Sequence, residues 1–407
     1  MWNQNFRLAA LSTYVLNGVV YYNAIYNPGT GGNFVALDRS TDAFVKTYGE
    51  MWNQNFRLAA LVTDKVEALS PARMAQGISD RLTGNVTGFS AVVGTVAQRV
   101  PAVGGQRRTS VNSPARASSA TARINIASIN KTITAVAVLQ SLAAKSLTVD
   151  SPMASYLPTD WVRGPNVNTI TFRQLMTHTS GIREGNRSTS YNDLRTTLAN
   201  GVNLSDKTPL YQNGNFALFR ILIPYLNGFS EAGVTDKDTA TSNAYLAYLN
   251  QRVFAPCGIG TVRARPETVE PTLCYPFPAG AVGGTDFGDW TKLCGGGCLN
   301  LSADELALFL VKLRDTATLL SGPQLTTMLD GLLGWQGQTD VRHGRMHDHG
   351  GYLYAPTTSN GNIELNSLVC SFSTGVHAAV TINSRVGNNV NVWQAVIDAY
   401  HGAWIPY

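Results

Sequence analysis

The sequence predicts an α/β (α+β) fold, an antiparallel sheet flanked by helices with an all-helical insertion, preceded by a small repeat region. Three observations predict it. Strand-like stretches stand at Gly88–Val96 and at Val376–Asn383, far apart in the chain. Between them Ile129, Ile133, Val136, Ala137 and Leu139 make a helix that is apolar nearly all round, the pattern of a buried element. Near the start, MWNQNFRLAAL at Met1–Leu11 recurs unchanged at Met51–Leu61, an internal repeat with a period of 50 residues.

A chain of 407 residues exceeds what one core usually holds. We expect residues 1–63 to form the repeat region and residues 64–407 one large domain, with a helical subdomain at about 176–300. Within the repeat, Tyr21–Tyr26 reads as an aromatic strand, Pro28-Gly29-Thr30-Gly31-Gly32 as a turn, and about Ser40–Glu50 as a short helix. Such short aromatic units need a neighbour to bury against, so the repeat is expected to pack on the large domain. Residues 64–81 read as a linking helix and Pro101–Thr121 as a Gly-, Ser-, Arg- and Ala-rich loop.

Composition removes several classes. Hydrophobic residues at 44%, charged residues at 14% and a mean hydropathy of -0.04 describe an ordinary globular chain. No apolar run reaches the ~18 residues of a membrane span. Lys and Arg outnumber Asp and Glu by 31 to 26 but are scattered, a poor footprint for nucleic acid. The five cysteines cannot all pair, and Cys294 and Cys298 lack a second close pair to complete a zinc site. A bridge between Cys257 and Cys274, or between Cys294 and Cys298, is open to an oxidising compartment. Met1–Asn5 is polar where an export signal would be charged and then apolar.

Ser128-Ile129-Asn130-Lys131 opens the buried helix, just after the strand-like Arg123–Ile126. Residues three apart on a helix share a face, so Lys131 reaches Ser128. A serine hydroxyl is a weak nucleophile until a neighbour takes its proton, and an amine desolvated by a helix is such a neighbour. The helix start adds N–H groups and a positive dipole end where negative charge develops. Alone, the same four residues more often describe an N-terminal cap.

Two further elements join it. In Tyr211-Gln212-Asn213, a phenol near a lysine ammonium loses its proton more easily and shuttles it, while Asn213 can orient Lys131 and a substrate carbonyl. In His349-Gly350-Gly351-Tyr352, paired glycines let a strand backbone approach a ligand and aim an N–H at an oxyanion. A metal cluster of His343, His347, His349 and Asp348 is the competing reading. It is set aside because the run matches no metal-site spacing and Asp348 would point away on a strand. His178 reads as structural, because Gly181 ends a helix after it. Gly295–Gly297 reads as a tight turn, since no Lys-Ser/Thr follows to make a phosphate cradle.

The ordered set S-x-x-K, Y-x-N and H-G-G, spaced by 83 and 138 residues, resembles the signature motifs of the serine β-lactamase and penicillin-binding-protein superfamily. With RINIASINKTITAVAVLQSL, TITFRQLMTHTSGI and GGGCLNLSADELALFL, it is most similar to the class C branch, which includes family VIII carboxylesterases and D-aminopeptidases. The resemblance covers about residues 75–407. It implies a β-lactamase/transpeptidase-like fold with Ser128 as the acylated nucleophile, Lys131 and Tyr211 as the proton-transfer pair and Asn213 orienting substrate. It further implies His349 as a cation or donor, and an oxyanion hole from the Ser128 and Tyr352 N–H groups beside Gly350 and Gly351. Two departures stand out: His349 replaces the usual lysine, which favours esterases and aminopeptidases over β-lactamases, and the bulky Tyr352 narrows the acyl pocket.

The implied activity is hydrolysis of small esters through an acyl-enzyme, most simply by a carboxylesterase, with no cofactor and no metal. The alternatives are a D-amino-acid peptidase or amidase, a DD-carboxypeptidase or β-lactamase-like enzyme, and a non-enzymatic penicillin-sensing or scaffold module. Residues 20–61 resemble the bacterial tandem repeat module found beside secreted serine hydrolases. A secreted or periplasmic location is therefore expected, with any signal peptide upstream of Met1.

Overall fold

The computed structural model describes residues 67–297, 299–357 and 361–406, and in the N-terminal region the strands Phe6–Leu16 (β1), Val19–Pro28 (β2), Phe34–Ser40 (β3) and Arg57–Leu58 (β4). The chain divides into two compact units, Met1–Arg73 with Tyr400–Tyr407, and Met74–Ala399. In the smaller unit β1, β2 and β3 pair antiparallel in sequence order. β4 pairs with β1 in parallel, with Arg7 opposite Arg57 and Leu8 opposite Leu58. Equivalent positions of the two undecapeptide copies thus lie side by side, as in stacked repeats. The aromatic strand expected at Tyr21–Tyr26 falls in β2. The expected turn and helix lie outside the described residues, apart from Pro28 and Ser40, which end β2 and β3.

The linking helix expected over residues 64–81 begins later than its pattern suggests. Glu67–Leu69 (β5) is a strand paired with the C-terminal strand Trp404–Pro406, a partner too remote for local periodicity to reveal. The helix then runs Pro71–Leu82, with Ser70 Oγ accepting the Arg73 N–H and proline in the first turn, where its missing N–H costs nothing.

The larger unit is built on a seven-stranded sheet. Its strands are Gly88–Gly94 (β6), Arg99–Arg108 (β7), Arg116–Ala117 (β8), Gly337–Val341 (β11), Gly344–Ala355 (β12), Ile363–Phe372 (β13) and His377–Ile382 (β14), in the order β11-β12-β13-β14-β6-β7-β8. Every neighbouring pair is antiparallel. Ile124–Asn125 (β9) and Asn300–Leu301 (β10) form a separate short pair. β7 corrects the sequence reading, which placed a loop from Pro101: its glycines and arginines conceal a strand paired with β6 from Gly105 to Arg99. β6 and β14 are buried along their whole length, so both sheet faces are covered and their apolar runs are continuous. The helix Ala303–Arg314 covers one face, its start capped reciprocally by Ser302 and Glu305.

The helix Asn130–Ala144 is buried without a break from Asn130 to Leu139. Truncating a core side chain such as Ile133 to alanine costs roughly 2–5 kcal/mol. Packed against it are Phe219–Leu226 and Lys237–Leu249, part of a helical region that also holds Phe172–Met176, Tyr191–Asn200 and Asn213–Ala217. Among the described residues no helix is long and apolar enough to cross a membrane. Cys257, Cys274, Cys294 and Cys370 are free, buried thiols, so Cys257 and Cys274 do not pair; Cys298 lies outside the described residues.

Candidate active site

Ser128 sits in a 3-10 turn, Ala127–Ile129, just before the buried helix proper. The turn is sharp. Ala127 has φ +46, a left-handed conformation that costs a non-glycine residue on the order of 1 kcal/mol, and its N–H is held by Asn125 Oδ1 at 2.8 Å. The reversal lifts Ser128 to the end of the helix, half-buried and open to a cleft.

Lys131 follows one turn later and is fully buried. Its Nζ donates to Ser128 Oγ at 2.9 Å, to Asn213 Oδ1 at 3.0 Å and to the Gly296 carbonyl. Tyr211 OH donates to the same Ser128 Oγ at 2.8 Å. Lys131 Nζ also lies over the Tyr211 ring, 4.8 Å from its centre. Two separate stretches of chain thus meet at one hydroxyl, and a third, at Gly296, holds the lysine.

The surroundings of Tyr211 and His349 bear on their protonation. The Tyr211 phenol does not titrate more easily: desolvation holds its pKa above the ordinary value, outweighing the bond to Ser128, and the Glu184 carboxylate adds to the rise. The His349 side chain lies deep in the same site. Its imidazole is 2% exposed, and burial, reinforced by the Lys131 charge, depresses its pKa to about 3. Since Nδ1 lies 2.7 Å from the Gly350 carbonyl, which only accepts, Nδ1 carries the hydrogen of the neutral ring.

The glycines act through their backbone. Gly350 N–H donates to Gln336 Oε1 at 3.0 Å, off the edge of β12 that faces away from β13. By antiparallel alternation the Tyr352 N–H points off the same edge. A Cβ on Gly351 would collide with Ser367 Oγ and the Ile126 carbonyl, so only glycine lets β12 lie this close to the Ser128 turn.

Five residues around the site were not assigned a role in it from sequence. His178, read as structural, has φ +57 and stacks on the Tyr211 ring at 4.4 Å between centres, while its Nδ1 accepts the Gln212 N–H at 3.3 Å. Burial and the Lys131 charge lower its pKa to about 4. Glu184 Oε1 accepts the Gly214 N–H beside Asn213. Gly296 supplies a carbonyl to Lys131, and the Gly295 carbonyl binds Asn130 Nδ2 and Thr134 Oγ1. A Cβ on Gly295, at φ +110, would sit 2.6 Å from the Phe216 carbonyl, so the glycine run is a signal that was available; Gln336 belongs to no motif.

Ser128, Tyr211, Asn213, Gly350, Gly351 and Tyr352 line one cleft of about 820 Å³. A separate crevice of about 380 Å³ is walled by Arg107, Arg123, Glu267 and Glu270, whose charges already pair with one another. Among the described residues no three His, Cys, Asp or Glu side chains converge as a metal site.

A seven-stranded antiparallel sheet flanked by helices, with a serine hydroxyl held by a lysine and a tyrosine at the mouth of a cleft, defines a serine hydrolase of the β-lactamase and penicillin-binding-protein type. The family model described as Beta-lactamase matches residues 72–385, and the chain belongs to that family. The Bacillus subtilis (strain 168) protein PbpX, a penicillin-binding protein by name, is 24% identical over 281 residues, 66% of this chain; the match spans 63% of that relative's length. A D-stereospecific amidohydrolase from Streptomyces sp. is similar in structure, with 20% identity and a TM-score of 0.59 over 81% of this chain and 98% of that one. So is the D-amino acid amidase from Ochrobactrum anthropi SV3 complexed with L-phenylalanine amide, with 16% identity and a TM-score of 0.60 over 81% and 97%. The class C beta lactamase from Rhodobacter sphaeroides shows 14% identity and a TM-score of 0.57 over 81% and 98%. At these identities the structural likeness is one of fold.

Proposed function

We propose that the chain is a carboxylesterase that works through an acyl-enzyme on Ser128. The observation that carries the proposal is the double hydrogen bond on Ser128 Oγ, from Lys131 Nζ at 2.9 Å and from Tyr211 OH at 2.8 Å. With Lys131 as the free amine, Ser128 gives it a proton and Oγ bonds to the substrate carbonyl carbon. The oxyanion is met by the N–H groups of Ser128 and Tyr352, which Gly350 and Gly351 bring within reach. As the ester C–O bond breaks, Tyr211 protonates the departing oxygen and recovers a proton from Lys131. Water repeats the cycle on the acyl-serine and releases the acid. Asn213 holds Lys131, and the neutral His349 shapes the strand without offering a charge to a substrate carboxylate.

Amide hydrolysis is the second reading, favoured by the family's D-amino acid amidase neighbours in structure. A short-chain p-nitrophenyl ester and a D-alanyl amide assayed side by side separate the two. Turnover of the amide alone would overturn the esterase assignment. A serine-directed phosphonate is expected to leave its adduct on Ser128, and a mass spectrum without that adduct would return the chain to the scaffold reading.

A further inference from the structure

Two cavities meet at Ser128, and their walls differ. The larger, of about 820 Å³, carries amide side chains such as Gln336, Asn366 and Asn391 beside the apolar Leu368, Val390 and Trp393. The smaller, of about 140 Å³, is walled chiefly by Ala217, Trp290, Leu293 and Leu353. Asn213 and Tyr352 line both. Among the described residues, neither cavity has a charged lining side chain. Lys131 lies beneath the floor with its donors turned to Ser128, Asn213 and Gly296. Glu364 and Arg385 act on the Tyr352 phenol with opposite sign but line neither cavity. A carboxylate or ammonium entering the cleft would shed part of its hydration and find no opposite charge on the walls. A hydroxyl or carboxamide would instead find both donors and acceptors.

Tyr211 decides which half of the substrate goes where. It lines the larger cavity and not the smaller. A general acid must stand within hydrogen-bond reach of the atom it protonates, so the departing oxygen leaves into the larger cavity and the acyl chain stays in the smaller. An apolar cavity of about 150 Å³ accommodates a benzene-sized guest, which sets the scale of that chain.

Building on the Ser128 esterase proposal, we infer that the substrates are esters joining a short aliphatic acyl group to a larger, uncharged alcohol that presents both polar and apolar groups. Ser128 Oγ bonds to the acyl carbon, the ester C–O bond breaks, and the neutral alcohol departs with the proton from Tyr211. Water then cleaves the acyl-serine bond, yielding the short carboxylic acid and restoring the serine hydroxyl.

Two substrate series on the full chain test this. The first holds the acetyl group and changes only charge in the leaving group, 4-acetoxybenzamide against 4-acetoxybenzoate; kcat/KM is expected to favour the carboxamide by about tenfold or more. The second holds p-nitrophenol and lengthens the acyl chain; kcat/KM is expected to fall about tenfold from butyrate to octanoate. Val390→Lys or Val386→Lys, each adding an ammonium to the larger cavity, is expected to shift the first ratio at least about fivefold toward the carboxylate. Leu293→Ala is expected to move the second optimum to longer chains. Ser128-dependent turnover that prefers the carboxylate or octanoate, or ratios unmoved by these variants, would overturn the substrate class and leave the acyl-enzyme standing. Turnover that survives Ser128→Ala would overturn the acyl-enzyme itself.

Discussion

Among the described residues, Ser128 and Ser371 each hydrogen-bond to a side-chain nitrogen, and of these two Ser128 lines a cleft. Ser371 Oγ lies 3.0 Å from His377 Nδ1, and His377 Nε2 lies 2.8 Å from Asp315 Oδ2, the partners of a Ser-His-Asp triad. Ser371 and His377 stand opposite each other on β13 and β14, fully buried beneath the end of the Ala303–Arg314 helix. Because Asp315 takes the Nε2 hydrogen, Nδ1 is left to accept from Ser371. Burial lowers the His377 pKa, and the Asp315 bond and charge only partly oppose it, so the ring is neutral. Around Ser128 the hydroxyl is half-buried, the turn is strained by Ala127, and the edge of β12 turns the Tyr352 N–H away from β13. The comparison teaches that hydrogen-bond geometry around a serine does not make a nucleophile: access for a carbonyl and donors for the oxyanion must coincide with it.

Exchanging each serine for alanine is the most direct way to break the comparison. Ser128→Ala is expected to lower kcat by about 10⁴-fold or more, while Ser371→Ala leaves kcat/KM within about twofold; the reverse outcome in steady-state assays would reassign the site. Tyr211→Phe sharpens it by removing one proton donor, with kcat expected to fall about 10²- to 10³-fold and the denaturation midpoint unchanged. His377→Gln should do the opposite, costing about 2–3 kcal/mol of stability in urea titration while the folded enzyme keeps its kcat.

A pH effect falls on both regions. His178 and His347 have pKa values near 4 and His349 near 3, all depressed chiefly by burial, and His377 is also lowered. The unfolded chain binds those protons at about pH 6.5, so the stabilisation is whole above that value and is lost as pH falls below it. For His178, His347 and His349 the loss is about 1.4 kcal/mol per pH unit for each imidazole between the unfolded and folded pKa values. Glu184 and Asp348, whose carboxyl pKa values burial raises, oppose the trend as they take up protons in the folded state. Urea midpoints that do not fall between about pH 6.5 and about pH 5 would contradict it. The smallest effect concerns His178 as a positioning residue for Tyr211. His178→Ala is expected to lower kcat about fivefold with KM unchanged, and His178→Asn, whose Oδ1 can take the Gln212 N–H, to recover part of it.

The proximity of Ser128 and Lys131 is legible because helical spacing is a local property, and the buried helix because its apolar residues leave no polar face. The extent of β7 was not legible, since Gly104, Gly105 and the arginines around them suggest a loop and only pairing with β6 makes them a strand. The standing of His349 was equally hidden. Its identity suggests a cation, whereas its charge depends on how much water the neighbouring segments exclude.

From the amino acids alone follow the reactive residue types, their order along the chain and the helix that holds two of them, because those depend on composition and on neighbours within a turn. Tertiary packing decided which serine meets a cleft, which histidines stay neutral, that Gly296 anchors Lys131 and that the cleft walls carry no charge. These properties arise between residues tens to hundreds of positions apart, where desolvation and contact are set by the folded whole and not by any local pattern.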